Sequence, residues 1–400
     1  MALRHVLAGC IVLGMVSPAW SLTEQQFDAC LQQLGERAVS EGLPRDNVTR
    51  LIAQTRLNER VIELDRRQPE FTASFADYYQ RRVNESRTQR GRELLEEHRD
   101  LLNTLTREYG IPGHYLVSFW GLETNYGGFK GNISTLDALA TLACEGRRAT
   151  YFSAEYINAL RLLNNGDISA DIMTGSWAGA MGHVQFMPEN YLRFAVDYDG
   201  SGRRDLFNSI PDAMASAANF LEALGWQRGQ RWGREVQLTN GFDYSLAGLN
   251  TRKTVAEWSA LGVRMANGHA LPNSDISASL LVPSGHQGPA FLVYDNFRVI
   301  MRWNRSESYA LTVGRLADRI AGAGPLHRDP VDAPRLHRDQ VRILQRTLQK
   351  KGFDAGGVDG LLGPGTRQAL AQYQHSRGWV ADGFPDERTL NALGVLSNDS

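Results

Sequence analysis

Excess charge of either sign is missing: 43 Lys and Arg stand against 44 Asp and Glu, for a net charge of −1. Binding to nucleic acid rests on a basic surplus, so nucleic acid is not the expected partner. Long apolar runs are missing too. Val6 to Val16 falls short of the roughly 20 apolar residues that cross a bilayer. Arg4 and His5 before it, and Pro18-Ala19-Trp20-Ser21 after it, give it the form of a secretory signal. Residues 1–21 are expected to be removed, leaving a chain that begins near Leu22. Leu7-Ala8-Gly9-Cys10 has the look of a lipoprotein cleavage box, but so few apolar residues precede Cys10 that ordinary cleavage is favoured over acylation. Cysteine is scarce, with three in 400 residues. Once Cys10 is gone, Cys30 and Cys144 remain in a compartment that permits disulfides, and either a Cys30–Cys144 bond or two separately buried thiols satisfies the sequence.

The composition that remains is ordinary for globular protein, 42% hydrophobic and 22% charged. This length points to two or three domains. Thr23 to Tyr109 is helical and charge-rich, with Phe27, Leu31 and Leu34 as one apolar stripe and Leu94, Leu95, Leu101, Leu102 and Leu105 as another. Phe71, Phe75, Tyr78 and Tyr79 are aromatics of core type at helical spacing.

Phe119-Trp120-Gly121-Leu122-Glu123-Thr124-Asn125-Tyr126-Gly127-Gly128 differs from the rest. Pro112 marks the start of a helix whose apolar surface is Leu116, Phe119, Trp120 and Leu122, and Glu123 leaves that surface near the helix end. Desolvation and the negative end of the helix dipole both disfavour its charged form. A raised pKa suits a general acid. A surface glutamate at a helix end is the ordinary alternative, but the flanking aromatics and the Gly127-Gly128 turn describe the wall and corner of a ligand site.

Downstream, Ser134 to Asp137 caps a helix, and a further helix runs from Arg148 to Leu163 with Tyr151 placed to line a groove. Gly175 to Pro188 concentrates small residues that let backbone approach a ligand, with the Gln185 amide beside Phe186. Asp197 to Asn208 places Asp197, Asp199, Ser201 and Asp205 at EF-hand positions 1, 3, 5 and 9 with Gly202 at 6. Position 12 is Asn208, which lacks a bidentate carboxylate, although Asp212 is close, and Arg203 and Arg204 oppose a cation. A calcium site and a plain Asp/Gly turn both stay open. Pro211 to Trp226 is helical. Between Trp232 and Ile300 the composition turns toward strands, with Ala290–Tyr294 and Phe297–Met301 as strands around an Asp295-Asn296 turn. Asn304, Ser306 and Tyr309 open a helix to Ile320. Ala321 to Pro334 is a linker. A small module follows, with stripes Val341/Leu344/Leu348, Leu370/Tyr373 and Leu390/Leu393.

These segments resemble a known family. Gly121 to Gly127 is similar to the catalytic Glu motif of lytic murein transglycosylases of the membrane-bound lytic transglycosylase B group. Gly175 to Pro188 resembles that family's second motif, and Trp303-Asn304-Arg305-Ser306 with Tyr309-Ala310 its third. Val184 stands where many relatives have glycine, and Trp303 where many have tyrosine. Asp359-Gly360-Leu361-Leu362-Gly363, Thr366, Gln374, Asp382-Gly383 and Thr389 resemble a peptidoglycan-binding module.

The resemblance implies a mainly α architecture. A lysozyme-like catalytic domain would occupy 22–320, with a small β-containing lobe at about 232–302. A linker at 321–335 and a three-helix module at 336–396 would follow. It implies a soluble periplasmic enzyme acting on peptidoglycan glycan strands, other cell-wall enzymes as partners, and no required cofactor, with Ca2+ at 197–208 in some relatives. Glu123 would be catalytic. Ser176 and Gln185 would hydrogen-bond substrate and Glu123, and Tyr151, Phe186, Asn304 and Tyr309 would complete the substrate site. No motif supplies a second carboxylate, which ordinary glycosidases need. One carboxylate would then serve as acid and base, cutting between N-acetylmuramic acid and N-acetylglucosamine to leave 1,6-anhydromuramyl ends. A hydrolase with an unrecognised Asp, and a non-catalytic wall-binding scaffold, are the alternatives.

Overall fold

The computed structural model describes residues 22–67 and 74–396. The expected signal segment, with Cys10, and Phe71 lie outside the described residues. Among those described, no helix is long and apolar enough to cross a membrane.

The helical body is organised around one helix, Gly113–Thr124. It is apolar on every side, the mark of a helix meant for the interior, and Tyr115 to Gly121 are all buried. Pro112 is its N-cap, as the sequence suggests. Around it pack Glu85–Glu97, Arg99–Tyr109, Ile210–Ala223 and Glu307–Ile320. The first helix, Glu24–Ser40, opens with a Thr23/Gln26 capping box and buries Phe27, Leu31 and Leu34, the predicted stripe. A disulfide joins Cys30 on that helix to Cys144 at the end of Thr135–Glu145, with Cα atoms 5.8 Å apart. The bond closes a loop 114 residues long in sequence separation.

Two sheets accompany the helices. Strands β1 (Ile133–Ser134) and β2 (Thr174–Gly175) form a short antiparallel pair that ties the Glu123 region to the glycine-rich segment. The second sheet is an antiparallel lobe of β3 (Gly233–Gln237), β4 (Lys253–Thr254), β5 (Arg264–Met265), β6 (Ser277–Leu281) and β7 (Ala290–Val293), in the order β4-β6-β7-β3-β5. Its register sets Glu235 opposite Phe291 and Leu281 opposite Phe291 on the other side. The lobe has its own core around Trp258, Phe242, Val263 and Leu280.

One predicted strand is a helix. Phe297–Met301 lies inside Asp295–Trp303, and Asp295-Asn296 is its first turn. The Phe-Arg-Val-Ile-Met pattern satisfies strand and helix alike over five residues. Asn296 decides between them: its buried amide donates to the carbonyls of Gln227 and Gln230 and accepts the Gln227 N–H at 2.7 Å, a brace that holds the helix start.

Beyond Ile320 the chain has no helix or strand until Arg338. It is nonetheless pinned to the body. The Glu235 carboxylate accepts the His327 and Arg328 N–H groups, and Arg335 reaches Asp77 at 3.0 Å. The last module has helices Arg338–Lys350, Pro364–Ser376 and Glu387–Ala392 around Leu344, Leu348, Leu370 and Leu390. Two buried glutamines organise it in the same way. Gln345 accepts from Gly360 N and donates to Asp359, Leu361 O and Thr366, while Gln374 accepts from Gly383 N and donates to Phe384 O and Thr389. The module touches the lobe at Gly285, whose positive φ and lack of Cβ let the β6–β7 hairpin close on Asp382 and Phe384.

Candidate active site

Glu123 lies in the last turn of the central helix, and the chain leaves that turn through three consecutive left-handed residues, Asn125, Tyr126 and Gly127. Asn and Gly tolerate this conformation, whereas Tyr126 adopts it at a cost of about 1–3 kcal/mol that its surroundings must repay. They do so by packing: the Tyr126 ring lies over Gly121, where any Cβ would come within 2.7 Å of it, and its hydroxyl donates to Arg87 O. Thr124 Oγ1 donates to His183 O and accepts from Gly127 N. Trp120 Nε1 donates to His183 Nδ1 at 3.0 Å. Burial pushes His183 down to about 4, so the ring is neutral and free to accept that bond. The first and second motifs are thus locked together through His183.

The carboxylate meets the third motif. Trp303 Nε1 donates to Glu123 Oε1 at 3.0 Å, and the Tyr309 hydroxyl donates to the same oxygen. Oε2 has no hydrogen-bond partner among the described residues. Phe119 packs on Trp303 with ring centroids 4.6 Å apart, and Phe186 and Phe220 back the same indole. In this setting Glu123 is pushed up to about 7: burial raises it, and the Tyr309 and Trp303 donors recover only part of that. Tyr309 is raised well above the usual tyrosine range by its own burial and then by the Glu123 charge, so it stays a donor.

The other predicted site residues fall in different places. Ser176 accepts from Ala180 N, and the Gln185 amide donates to Lys130 O at 3.1 Å and Gly182 O at 3.0 Å. The expected hydrogen bonds from these two residues to Glu123 are not formed, because local backbone groups hold Ser176 Oγ as an acceptor and Gln185 Nε2 as a donor, which leaves the Ser176 hydroxyl proton and Gln185 Oε1 for a ligand. Gln185 has a positive φ of 50°, a further strained residue in the second motif. Phe186, expected to face substrate, is 1% exposed and belongs to the aromatic packing behind Trp303. Tyr151 is 46% exposed at the surface, and the buried Glu155 beside it accepts from Glu189 N. Asn304 is exposed at the end of its helix, and Ser306 caps the next one by accepting from Tyr309 N.

A family model for the transglycosylase SLT domain matches residues 26–318, and one for a peptidoglycan binding domain matches 337–393. The chain belongs to the SLT transglycosylase family. Its structure is similar to that of SltB3 from Pseudomonas aeruginosa in complex with NAG-anhNAM-pentapeptide, with a TM-score of 0.85 and 43% identity over 92% of this chain and 99% of that one. It is 29% identical to the membrane-bound lytic murein transglycosylase B of Escherichia coli, covering 72% of this chain and 82% of that protein. The E. coli lytic transglycosylase Slt35 in complex with calcium is similar with a TM-score of 0.64 and 30% identity, covering 73% of this chain and 92% of that one.

In this transglycosylase the aspartate loop is built differently from the predicted ligand set. Asp197, Asp199 and Asp212 each bring an oxygen within 4.8 Å of the others. Asp212, from the following helix, stands beside Asp197 and Asp199, whereas the twelfth loop residue, Asn208, has no carboxylate. All of these carboxylates accept local backbone N–H groups, Asp212 from Tyr198, Asp199 and Asp205, Asp197 from Ser201 and Gly202, and Asp205 from Phe207 and Asn208, while Ser201 Oγ donates to Arg203 O. Arg204 turns away to pair with Asp167, which removes one of the two charges opposing a cation. Three convergent carboxylates form an oxygen-only donor set of the kind that suits a hard divalent ion.

Trp303 opens the third motif in the sequence, but its hydrogen bond to Glu123 is not among the expected contacts. Its signal is indirect: an indole nitrogen is a donor only, and a tryptophan at the mouth of a motif needs an acceptor.

Proposed function

We propose that this lytic transglycosylase cleaves the β-1,4 bond between N-acetylmuramic acid and N-acetylglucosamine in peptidoglycan without consuming water, with Glu123 as its single acid and base. The observation that carries the reading is Glu123 itself, a carboxyl raised to about 7 whose titration answers to burial and two neutral donors, with no second carboxylate contributing. Because Tyr309 and Trp303 both donate to Oε1, the proton of the neutral acid belongs on Oε2.

Oε2 gives that proton to the glycosidic oxygen as the C1–O4 bond breaks, and N-acetylglucosamine leaves with a free 4-hydroxyl. The carbonyl oxygen of the muramyl N-acetyl group stabilises C1. The Glu123 carboxylate, held by its two donors, takes the proton from the C6 hydroxyl as O6 bonds to C1. The acid is regenerated and the product is a 1,6-anhydromuramyl end. The likeness to an SltB3 complex containing an anhydromuramyl product supports this outcome.

In the same reading residues 22–320 form the catalytic domain, 321–335 the linker and 336–396 the wall-binding module, the first and last each supported by its own apolar core. Tyr151, Ser176, Gln185, Asn304 and Tyr309 remain the residues for contacting sugar, with Phe186 acting through Trp303. No cofactor takes part in the chemistry. Asp197, Asp199 and Asp212 would hold calcium, which would stiffen their loop. Removal of residues 1–21 would place the enzyme in the periplasm.

Mass spectrometry of digested sacculi tests the reading. Anhydro ends, lighter than hydrolysed ends by one water, are expected. Reducing ends alone would make the protein a hydrolase, and undigested sacculi would make it a binding scaffold.

A further inference from the structure

A cavity of about 400 Å³ opens away from Glu123, where the β6–β7 hairpin, the linker and the C-terminal module meet. Asp332, Asp382, Asp386 and Glu387 line it, against one basic side chain, His286. The wall is not electrically balanced, because His286 is already committed: its backbone N–H and Nδ1 both lie on Asp382 Oδ2, at 2.8 and 2.6 Å. Asp386 spends Oδ1 on capping the last helix through Thr389 N. Asp386 Oδ2 and the whole Glu387 carboxylate have no partner among the described residues. Ser284, in the same wall, is 1% exposed, and its Oγ has no hydrogen-bond partner. A buried hydroxyl left unpaired is unfavourable until a ligand or solvent satisfies it.

The chemistry selects the kind of ligand. The acidic wall calls for a cation. Its carboxylates do not converge as a metal site does, since among the described residues only Asp197, Asp199 and Asp212 bring three such ligand atoms within 4.8 Å of one another. An ammonium group offers three donors on a flexible stem and tolerates spread acceptors. Val331, Pro334 and Phe384 supply an apolar side to the same cavity, and its volume falls in the range of small-ligand sites.

We infer that this cavity binds a peptide through a free primary ammonium, held by Asp386 and Glu387, with the peptide's apolar atoms against Phe384 and Pro334. For its natural ligand the inference rests on the peptidoglycan reading above, because the stem peptides carried by glycan strands are of this class. Such a site would make the enzyme favour strands that still carry peptides over stripped ones.

The test titrates the full chain with an N-terminally blocked pentapeptide bearing one free side-chain amine, and with the same peptide acetylated on that amine, by calorimetry at low salt. Acetylation should weaken binding about tenfold, the scale of one charge-assisted hydrogen bond. The double variant Asp386→Asn, Glu387→Gln should lose the preference, while Asn at 386 preserves the helix cap. Turnover of peptide-free glycan by that variant should match wild type. Equal affinity for the two peptides, no binding of either, or an undiminished preference in the double variant would overturn the inference. Failure of the wild type to cut glycan would instead count against the proposed function and leave the binding result standing.

Discussion

Two carboxylates in this protein are both withdrawn from water, and they end in opposite states. Asp65, on Glu59–Arg67, is 3% exposed and sits between two guanidinium groups: Arg147 Nε donates to it at 3.0 Å and Arg148 Nη2 at 2.6 Å. Burial works against its charge, but the two arginines outweigh burial and hold its carboxyl below the usual range. Glu123, half-buried at the end of its helix, has only neutral donors to oppose burial, and it rises to about 7. Two hydrogen bonds from Trp and Tyr orient a carboxyl without supplying the charge that would keep it ionised. A guanidinium does both, so it makes a fixed structural anion. Burial makes Glu123 an acid, and with no cation beside it the two neutral donors reverse only part of that shift.

The strongest way to break this comparison is Glu123→Gln, which keeps the shape and removes the proton. Turnover of sacculi should fall by at least about 100 to 10,000-fold, since one group serves both proton transfers. The same variant should melt higher than wild type above pH 7. A carboxyl whose folded pKa is raised becomes a stability cost as pH climbs from the unfolded value toward the folded one, and Gln carries no such cost. Retained turnover would refute the assignment. An unchanged melting temperature at pH 8 would refute the raised pKa.

Tyr309→Phe sharpens the comparison by deleting one neutral donor. Turnover should drop about 100-fold as the carboxyl loses alignment. Because the lost bond favoured the charged form, Glu123 should titrate still higher and the alkaline limb of the rate profile should move up in pH. A limb that moved down would show that Tyr309 destabilises the charge.

Asp65→Asn tests the other side and should have the smallest effect. Both arginines are partly exposed, so solvent screening limits the loss to about 1–2 kcal/mol by urea melts at pH 7. With a depressed folded pKa, the Asp65 contribution is present above an unfolded value of about 4 and is lost as pH falls through the folded value. Wild type and variant should therefore converge in stability in acid, with turnover unaffected at any pH where both are folded.

Much of this was legible in the residues. Glu123 stands out as one carboxylate after an apolar run with an aromatic wall and a glycine corner, and the Cys30–Cys144 bond is one of the two arrangements that two remaining cysteines allow. The limits were physical as well. Phe297 to Met301 is too short for its period to separate helix from strand, and the brace from Asn296 to Gln227 is invisible in local sequence. Phe186 is aromatic beside a motif, but whether such a ring faces ligand or core depends on Phe220 and Trp303, which arrive from elsewhere in the chain. Asp212 enters the aspartate cluster from a following helix, outside any loop template. Gln374 falls within the module's motif and Gln345 does not, because the likeness between them lies in what each amide binds and not in their spacing to the Asp-Gly turns.

The pH dependence of kcat/KM on soluble glycan, measured with enzyme that stays folded across the range, reads the titration of Glu123 itself. The rate should fall on the alkaline side with an apparent pKa near 7, the value Glu123 is raised to, with no such limb in the residual rate of Glu123→Gln. A limb between about pH 4 and 5, where an ordinary glutamate titrates, would contradict it.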